Sequence, residues 1–231
     1  MRKISILKFG LFAFLAVALL LPSTGRADTF TSLLSTGNTA ISGFTGPYGT
    51  VTVDLTSSTM ASITFTANST ATNNFYFIDT SAAAVEVNAT SWTLSGLTGT
   101  AASFGAGVDL SDSGAGTADG FGSFNQTFKE FDGYNWALTS ITFDLTNTSG
   151  TWLDAASVLA FNSLGFDAAA HIAVCDLATN PDCSTAIGAI ATGFAGEGPG
   201  TIHKNPEPAS LGLFGSGLVS LAYLIRRRRK K

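Results

Sequence analysis

Few side chains in this sequence could perform acid–base or nucleophilic chemistry. His171 and His203 are its two histidines, and His203 lies in a predicted linker. A Ser-His-Asp arrangement needs a histidine beside an activated serine, and no Gly-x-Ser-x-Gly elbow, P-loop or dinucleotide fingerprint is present. Glu130 and Asp132 could form a pair of glycosidase carboxylates, but two nearby acids are weak support in an acidic chain. We therefore expect no catalytic residues and no enzymatic activity.

Three aspartates lie in a glycine-rich stretch with the sequence DLSDSGAGTADG. Calcium binds carboxylate and carbonyl oxygens on flexible loops, so Asp109, Asp112 and Asp119 are weak candidate calcium ligands. Their spacing does not follow the EF-hand pattern, and Asp with Gly also marks ordinary turns. A solvated loop that holds no metal and no cofactor is the favoured interpretation.

Cys175 and Cys183 enclose a segment with the turn signal Asn180-Pro181-Asp182. In an oxidising compartment, an even pair that joins two strands is most simply a disulfide. Closing so short a loop stabilises the fold by about 2–3 kcal/mol. Redox catalysis usually needs Cys-x-x-Cys spacing, which is not found here. We therefore predict a structural disulfide.

Aromatic and threonine side chains could contact a sugar or ice. In an all-β domain aromatic rings more often lie in the core, and Thr-x-Thr at 50–52 and 64–66 has no regular repeat. These threonines are better explained as outward strand positions. The candidate stacking rings are Tyr48, Tyr76, Trp92, Tyr134, Trp136 and Trp152.

The elements that must position these residues are short strands in residues 28–204. Val51, Val53 and Leu55 alternate with polar residues, and the pattern resumes at Ile63, which predicts a hairpin. We predict an all-β, antiparallel β-sandwich or jelly roll, with residues 96–122 forming either a long loop or two glycine-punctuated strands. Further strands are predicted at 75–78, 84–87, 92–97, 141–145, 171–175 and 186–191, with a bulge near 139–140 and a helical turn or two within 154–161.

Charge is distributed unevenly along the chain. The whole sequence has a formal net charge of −4, but residues 28–205 hold 15 acidic and 2 basic residues, a formal charge of −13. So acidic a surface repels phosphate backbones, which excludes nucleic acid as a partner. It is compatible with solubility outside the cell, with cations and with neutral glycans.

Residues 1–27 have the pattern of a signal peptide. A basic start precedes a 13-residue apolar run at 9–21, Pro22 ends the run, and Gly25 and Ala27 occupy the −3 and −1 positions of a cleavage site. The run is shorter than the roughly 20 residues that span a bilayer. We predict an N-terminal signal helix, export by the Sec machinery and cleavage after Ala27.

The C-terminal end, residues 205–231, has three parts in order. The motif Pro206-Glu207-Pro208 is followed by an uncharged apolar segment at 209–225 and the basic cluster RRRRKK at 226–231. Seventeen residues make a helix of roughly 25 Å, the lower limit for crossing a membrane. The basic cluster keeps its end on the cytoplasmic side. We predict a single transmembrane helix.

This order of parts resembles the PEP-CTERM sorting signal of Gram-negative bacteria, a tail also described as an ice-binding-protein C-terminal domain. The resemblance implies that exosortase, a membrane-embedded thiol protease, cuts near the motif. It implies a membrane-anchored precursor, exported across the inner membrane, that ends in the cell envelope or outside the cell. An ordinary single-pass anchor is the alternative. The stretches at 49–67 and 165–174 are also similar to parts of other exported β-rich proteins with this tail.

Together these features favour a non-catalytic envelope or extracellular-matrix protein, associated with exopolysaccharide or biofilm. The alternative is a carbohydrate- or calcium-dependent binding module. A carboxylate cluster around Asp112 or an aromatic strip near Trp136 would favour the binding module, and a convergent polar pocket around His171 would favour an enzyme.

Overall fold

The predicted ends of the chain lie outside the part that the structure describes. The signal helix of residues 1–27 and the transmembrane helix of residues 209–225 therefore stay predictions. Within the described part, no helix has the length and apolar character needed to cross a membrane. The computed structural model describes residues 28–105, 107–131, 136–179 and 188–197, and the backbone of residues 203–204.

The described chain is built from strands that pair antiparallel throughout, which confirms the all-β prediction. One 3-10 helix, Ala155–Ser157, falls where a helical turn was predicted. The strands are β1 Asp28–Leu34, β2 Thr36–Gly37, β3 Gly49–Ser57, β4 Met60–Ala67, β5 Asn73–Phe77, β6 Ala83–Val85, β7 Trp92–Ala101, β8 Ser111–Ala118, β9 Gly122–Lys129, β10 Leu138–Asn147, β11 Ala168–Asp176, β12 Ala191–Gly196 and β13 His203–Lys204.

The described strands form one continuous hydrogen-bonded sheet, which divides into two groups of strands where β10 meets β5. The first strand group has the order β13-β1-β3-β4-β10-β7. The second has the order β8-β9-β6-β11-β12-β2, and β5 lies beside β11 next to β6. A single pair of residues, Leu138 and Phe77, joins β10 of the first group to β5 of the second.

Both strand groups bury apolar side chains in one core. In β3 the residues Val51, Val53 and Leu55 are buried while their neighbours are partly exposed, as the period-2 pattern requires. The same cluster receives Phe77 and Phe128 from the second group. Burial of such side chains is worth about 1.5–3 kcal/mol each, so this shared core stabilises both groups together.

Aromatic rings connect the two groups directly. The ring centroids of Phe143 on β10 and Phe128 on β9 are 4.3 Å apart. Phe65 on β4 lies 6.4 Å from Phe143 and 6.1 Å from Phe77 on β5. All four side chains are fully buried.

Strand β11 is covered on both faces. Ile172 and Val174 point into the main core, while Ala169 and Ala173 pack into two smaller clusters on the other side. Because both faces are buried, β11 is a nearly continuous apolar run rather than an alternating one. His171 is a polar exception in its middle.

Several sequence predictions can be compared with the strands. The hairpin of β3 and β4 is confirmed, and Thr139 is the extra residue of a bulge where β10 shifts register against β7. The glycine-rich segment forms strands rather than one long loop. The strand predicted at 186–191 is wrong in its bounds, because β12 begins at Ala191. Gly188 before it has a φ of +61°, which is not extended backbone.

Cys175 is fully buried near the end of β11. Its proposed partner, Cys183, lies outside the described residues. The disulfide between them stays a prediction.

Replacing Phe143 with alanine should lower the free energy of unfolding by about 3–5 kcal/mol, because it removes the ring that contacts both strand groups and leaves a cavity. Leu153→Ala is the matched control, since Leu153 is 92% exposed, and it should change stability by less than about 0.5 kcal/mol. Chemical denaturation of both variants measures the difference. Equal small losses would contradict a core shared by the two groups.

Candidate functional site

His171 is held in β11 by burial and ring stacking. Its side chain is 13% exposed, and its ring stacks on Phe194 with centroids 4.3 Å apart and planes at 14°. Nδ1 of His171 lies 4.0 Å from Oδ2 of Asp79. Burial lowers the pKa of His171 below its ordinary 6.5, and the Asp79 carboxylate partly opposes this change. The ring is therefore neutral at pH 7.

The serine whose main chain is hydrogen-bonded to this histidine does not direct its hydroxyl proton to the ring. The main-chain N–H of His171 donates to the carbonyl of Ser81, at 3.0 Å, but the Ser81 hydroxyl donates to the carbonyl of Thr117, at 2.8 Å. Asp79 and Ser81 have φ values of +55° and +53°, unusual for residues other than glycine. An open cleft of about 540 Å³ begins beside them at Thr80. The contacts fix this loop and do not form a nucleophile–histidine pair.

The three candidate calcium ligands are not brought together. Asp112 lies near the start of β8 and Asp119 follows its end, so roughly 20 Å of strand separates them. All three aspartates are exposed. The Asp112 carboxylate accepts hydrogen bonds from the Gly114 N–H and the Gln126 amide, at 2.8 and 2.7 Å. Across the described residues there is no group of three or more His, Cys, Asp or Glu that could hold a metal.

Glu130 is buried at the end of β9, and Asp132 lies outside the described residues. One oxygen of Glu130 accepts the Asp109 N–H at 2.5 Å, and the other has no partner among the described groups. Burial raises the pKa of Glu130, and the hydrogen bond from the Asp109 backbone lowers it in part. The observed contacts give Glu130 a structural role in anchoring the segment before β8.

Most of the candidate sugar-stacking rings pack in the interior of the domain. The Tyr48 hydroxyl donates to the carbonyl of Ile41 at 2.9 Å, inside the core. Trp136 lies beside Phe131, which is 52% exposed, with ring centroids 5.4 Å apart. Tyr134 lies outside the described residues. The rings packed in or against apolar clusters are Tyr48, Tyr76, Trp92 and Trp152.

A second cleft, of about 520 Å³, is lined mainly by polar side chains. These side chains already make hydrogen bonds to the main chain of the neighbouring loops. Asn125 exchanges two hydrogen bonds with the main chain of Val87, at 2.7 and 2.9 Å. The Ser149 hydroxyl accepts from the N–H groups of Thr90 and Ser91, both at 3.1 Å. The polar lining of this cleft therefore holds loops together.

The outward face of the first strand group is rich in hydroxyl groups. Thr64 on β4 is directly opposite Thr52 on β3 and Thr142 on β10, and Thr142 is also opposite Thr98 on β7. The hydroxyls of Thr64 and Thr142 are 3.1 Å apart. With Thr31 on β1 opposite Thr52, the threonines form a row across five strands, which we call the threonine row.

A second hydroxyl row runs beside the threonine row. It is formed by Thr50, Thr66, Ser140 and Thr100, two residues further along each strand. Neighbouring strands are about 4.8 Å apart, and alternate residues on one strand are roughly 6.7 Å apart. The prediction that the Thr-x-Thr pairs face outward is confirmed, and pairing adds an array that the linear sequence does not show.

A buried acidic pair was missed by the sequence analysis. Asp167 precedes β11 and is 5% exposed, and Glu197 follows β12 and is 2% exposed. The two carboxyl groups lie close enough to share a proton between them, and the fully buried Ser32 hydroxyl lies beside Glu197. One oxygen of each carboxyl and the Ser32 hydroxyl have no hydrogen-bond partner among the described residues.

The electrostatics of this pair are unfavourable for two negative charges. Burial, and then the hydrogen bond and charge of Asp167, raise the pKa of Glu197 to about 9, while Ser32 lowers it in part. Burial also raises the pKa of Asp167. The Ser32 hydroxyl is close enough to affect Glu197, although it does not meet hydrogen-bond geometry. Without another ligand, the pair keeps a proton at neutral pH.

A weak sequence pattern could have located this pair. Ser32 interrupts the buried alternation of Phe30 and Leu34, so a hydroxyl occupies a core position. Asp167 precedes three alanines, and Glu197 follows Ala195-Gly196. Polar groups in such surroundings need partners, but only the fold shows that they are partners of each other.

The fold and the tail together define a class of protein, an all-β domain followed by a sorting tail. Residues 206–229 match the family model for the PEP-CTERM protein-sorting motif, which confirms the resemblance. The chain therefore contains a PEP-CTERM protein-sorting motif at these residues. The motif implies an exported, membrane-anchored precursor that exosortase, a membrane enzyme, processes to the cell envelope or extracellular space. No curated protein and no solved structure matches the chain significantly.

The lowered pKa of His171 contributes a loss of stability as pH falls below neutral, and the raised pKa of Glu197 contributes the opposite slope, so the effect of His171 is measured as a difference between variants. As pH falls through 6.5, the unfolded chain binds a proton that the folded chain does not, so stability falls by up to about 1.4 kcal/mol per unit until the folded pKa is reached. His171→Phe keeps a ring against Phe194 and should remove this slope between pH 7 and 5.5. His203→Gln, at the other histidine, should keep it. Denaturant titrations over that range measure both, and an unchanged slope in His171→Phe would refute the assignment.

Proposed function

We propose that this protein is a non-catalytic module of the cell envelope or extracellular matrix, exported from a Gram-negative bacterium and sorted there by its tail. The sorting motif at residues 206–229 carries this proposal. The Sec machinery would export the chain after recognising residues 1–27. Exosortase would then remove the apolar helix and basic cluster, with the extended Pro206-Glu207-Pro208 motif open to the protease because proline disfavours helix at the residue before it.

The exported part is proposed to be a β-sandwich, with the two strand groups as its sheets. Two observations support this architecture. The groups share one buried cluster, and β10 and β5 pair at a single pair of residues between them. Two antiparallel sheets that pack over one core are the arrangement of such domains.

The absence of catalysis is also a proposal. It is supported by the contacts around His171, where the Ser81 hydroxyl donates its proton to a main-chain carbonyl. It is further supported by the second cleft, whose Asn125 and Ser149 side chains are bonded to loop backbone. Groups committed in this way stabilise the domain and are not free to activate a substrate.

A neutral polysaccharide is the partner that the surface favours. The threonine row and the second hydroxyl row offer donors and acceptors on a sheet face, and sugar hydroxyls can exchange hydrogen bonds with such groups. The acidic charge of the domain disfavours phosphate-bearing polymers. The same face supports the alternative, a carbohydrate-binding module, and the two proposals differ in whether the purified domain binds a defined glycan.

Both ends of the mature protein test the sorting proposal. In a Gram-negative host with exosortase, intact mass and terminal sequencing should give a chain that begins at Asp28 and lacks residues 226–231. In a matched host without exosortase, the same chain should keep Lys231. An intact Lys231 in both hosts would indicate a plain membrane anchor, and retention of residues 9–21 would contradict signal cleavage.

Removal of the threonine row tests the polysaccharide partner. The triple variant Thr52→Ala, Thr64→Ala and Thr142→Ala should reduce retention of the protein in extracted exopolysaccharide several-fold, since three hydrogen-bonding groups of one row are lost. A control that replaces Thr72, Thr117 and Thr148 removes as many hydroxyls elsewhere and should leave retention unchanged. Co-sedimentation with the polysaccharide measures both, and equal retention of the two variants would argue against this face.

A further inference from the structure

Three oxygen-bearing side chains converge where the two strand groups meet. Ser32 points inward from β1, and the chain passes from β1 in the first group to β2 in the second. Asp167 and Glu197 lie at adjacent ends of β11 and β12, where the Glu197 N–H donates to the Ala168 carbonyl at 3.2 Å. The fold, rather than a local motif, therefore assembles the cluster.

The two carboxyl groups have no basic partner among the side chains that the structure describes. In the part of the chain whose side chains are described, Lys129 is the one Lys or Arg residue, and it is exposed at the end of β9. Removing two carboxylates from water without a compensating charge costs several kcal/mol per ion. No described side chain therefore neutralises the pair.

A proton satisfies this cluster only in part. One shared proton makes one hydrogen bond between Asp167 and Glu197. It leaves Oδ1 of Asp167, Oε2 of Glu197 and Oγ of Ser32 buried without a partner. Each such buried orphan costs about 1–3 kcal/mol. A cation can contact several of these oxygens at the same time, which a single proton cannot do.

We propose that Ser32, Asp167 and Glu197 form an internal binding site for a hard divalent cation, with calcium as the preferred ion. The two carboxylates balance its double charge. With both carboxylates bidentate, the three side chains supply up to five of the six to eight oxygen ligands that calcium takes. The third ligand is a hydroxyl, so this cluster has two acidic ligands rather than three or more His, Cys, Asp or Glu.

The bound ion would join the two strand groups. Ser32 belongs to the first group, while Asp167 and Glu197 flank a hairpin of the second. Calcium would therefore stabilise the folded domain against separation of these groups. This site is distinct from the exposed aspartates 109, 112 and 119.

The test uses the purified exported protein. Thermal unfolding is measured in chelator, in calcium and in magnesium, and calcium binding is measured by calorimetry. Calcium at about a hundred times its Kd should raise Tm by about 5–10 °C, with one ion bound per chain. Glu197→Gln keeps the shape of the protonated carboxyl and should lose both responses. The control, with Asp109, Asp112 and Asp119 all changed to Asn, should keep both.

Ser32→Ala provides a second variant that should fold readily. Its hydroxyl has no partner to lose, so Tm in chelator should be unchanged or higher, while calcium affinity should fall about tenfold or more. Three results would overturn the site: no calcium binding by the wild type, equal calcium responses in the wild type and Glu197→Gln, or loss of binding in the triple aspartate control. A fourth result, equal shifts with magnesium and calcium in both the wild type and Glu197→Gln, would reveal a general salt effect and also overturn it.

Discussion

The packing of Phe143 against Phe128 joins the two strand groups of this domain, and the remaining contacts depend on it. Their rings are fully buried with centroids 4.3 Å apart. Phe65 and Phe77 extend the same aromatic contact to β4 and β5. Once these rings are buried, the outward residues of β3, β4 and β10 must face away from the core. The hydroxyl-rich face is thus a consequence of the same alternation that forms the interior.

A second constraint is the near absence of basic side chains in the domain. With Lys129 exposed and no other Lys or Arg among the described side chains, carboxyl groups must be solvated, bonded to neutral donors, protonated or neutralised by an external ion. Exposed Asp112 and buried Glu130 accept backbone N–H donors. The Asp167–Glu197 pair is buried and has fewer donors than oxygens, which distinguishes it from the other acids.

The strand pattern was largely predictable because it is local. Val51, Val53 and Leu55 show the hairpin through their period of two, and the register slip at Leu138 shows the bulge. Predictions were weaker where local rules fail. Gly188, with its positive φ, displaces β12 to residues 191–196, and the glycines of β8 concealed a strand because glycine lacks the side chain on which alternation is recognised.

The sequence by itself determined the destination of the protein, since the order of the Pro-Glu-Pro motif, apolar segment and basic cluster is contiguous and is recognised as a linear signal. Tertiary structure alone decided which polar residues meet. Thr52, Thr64, Thr98 and Thr142 become one row only through strand register. Ser32 and Glu197 are far apart in the chain, and their contact depends on the packing of β1 against the β11–β12 hairpin. Such contacts arise from long-range pairing, which a local pattern of residues does not encode.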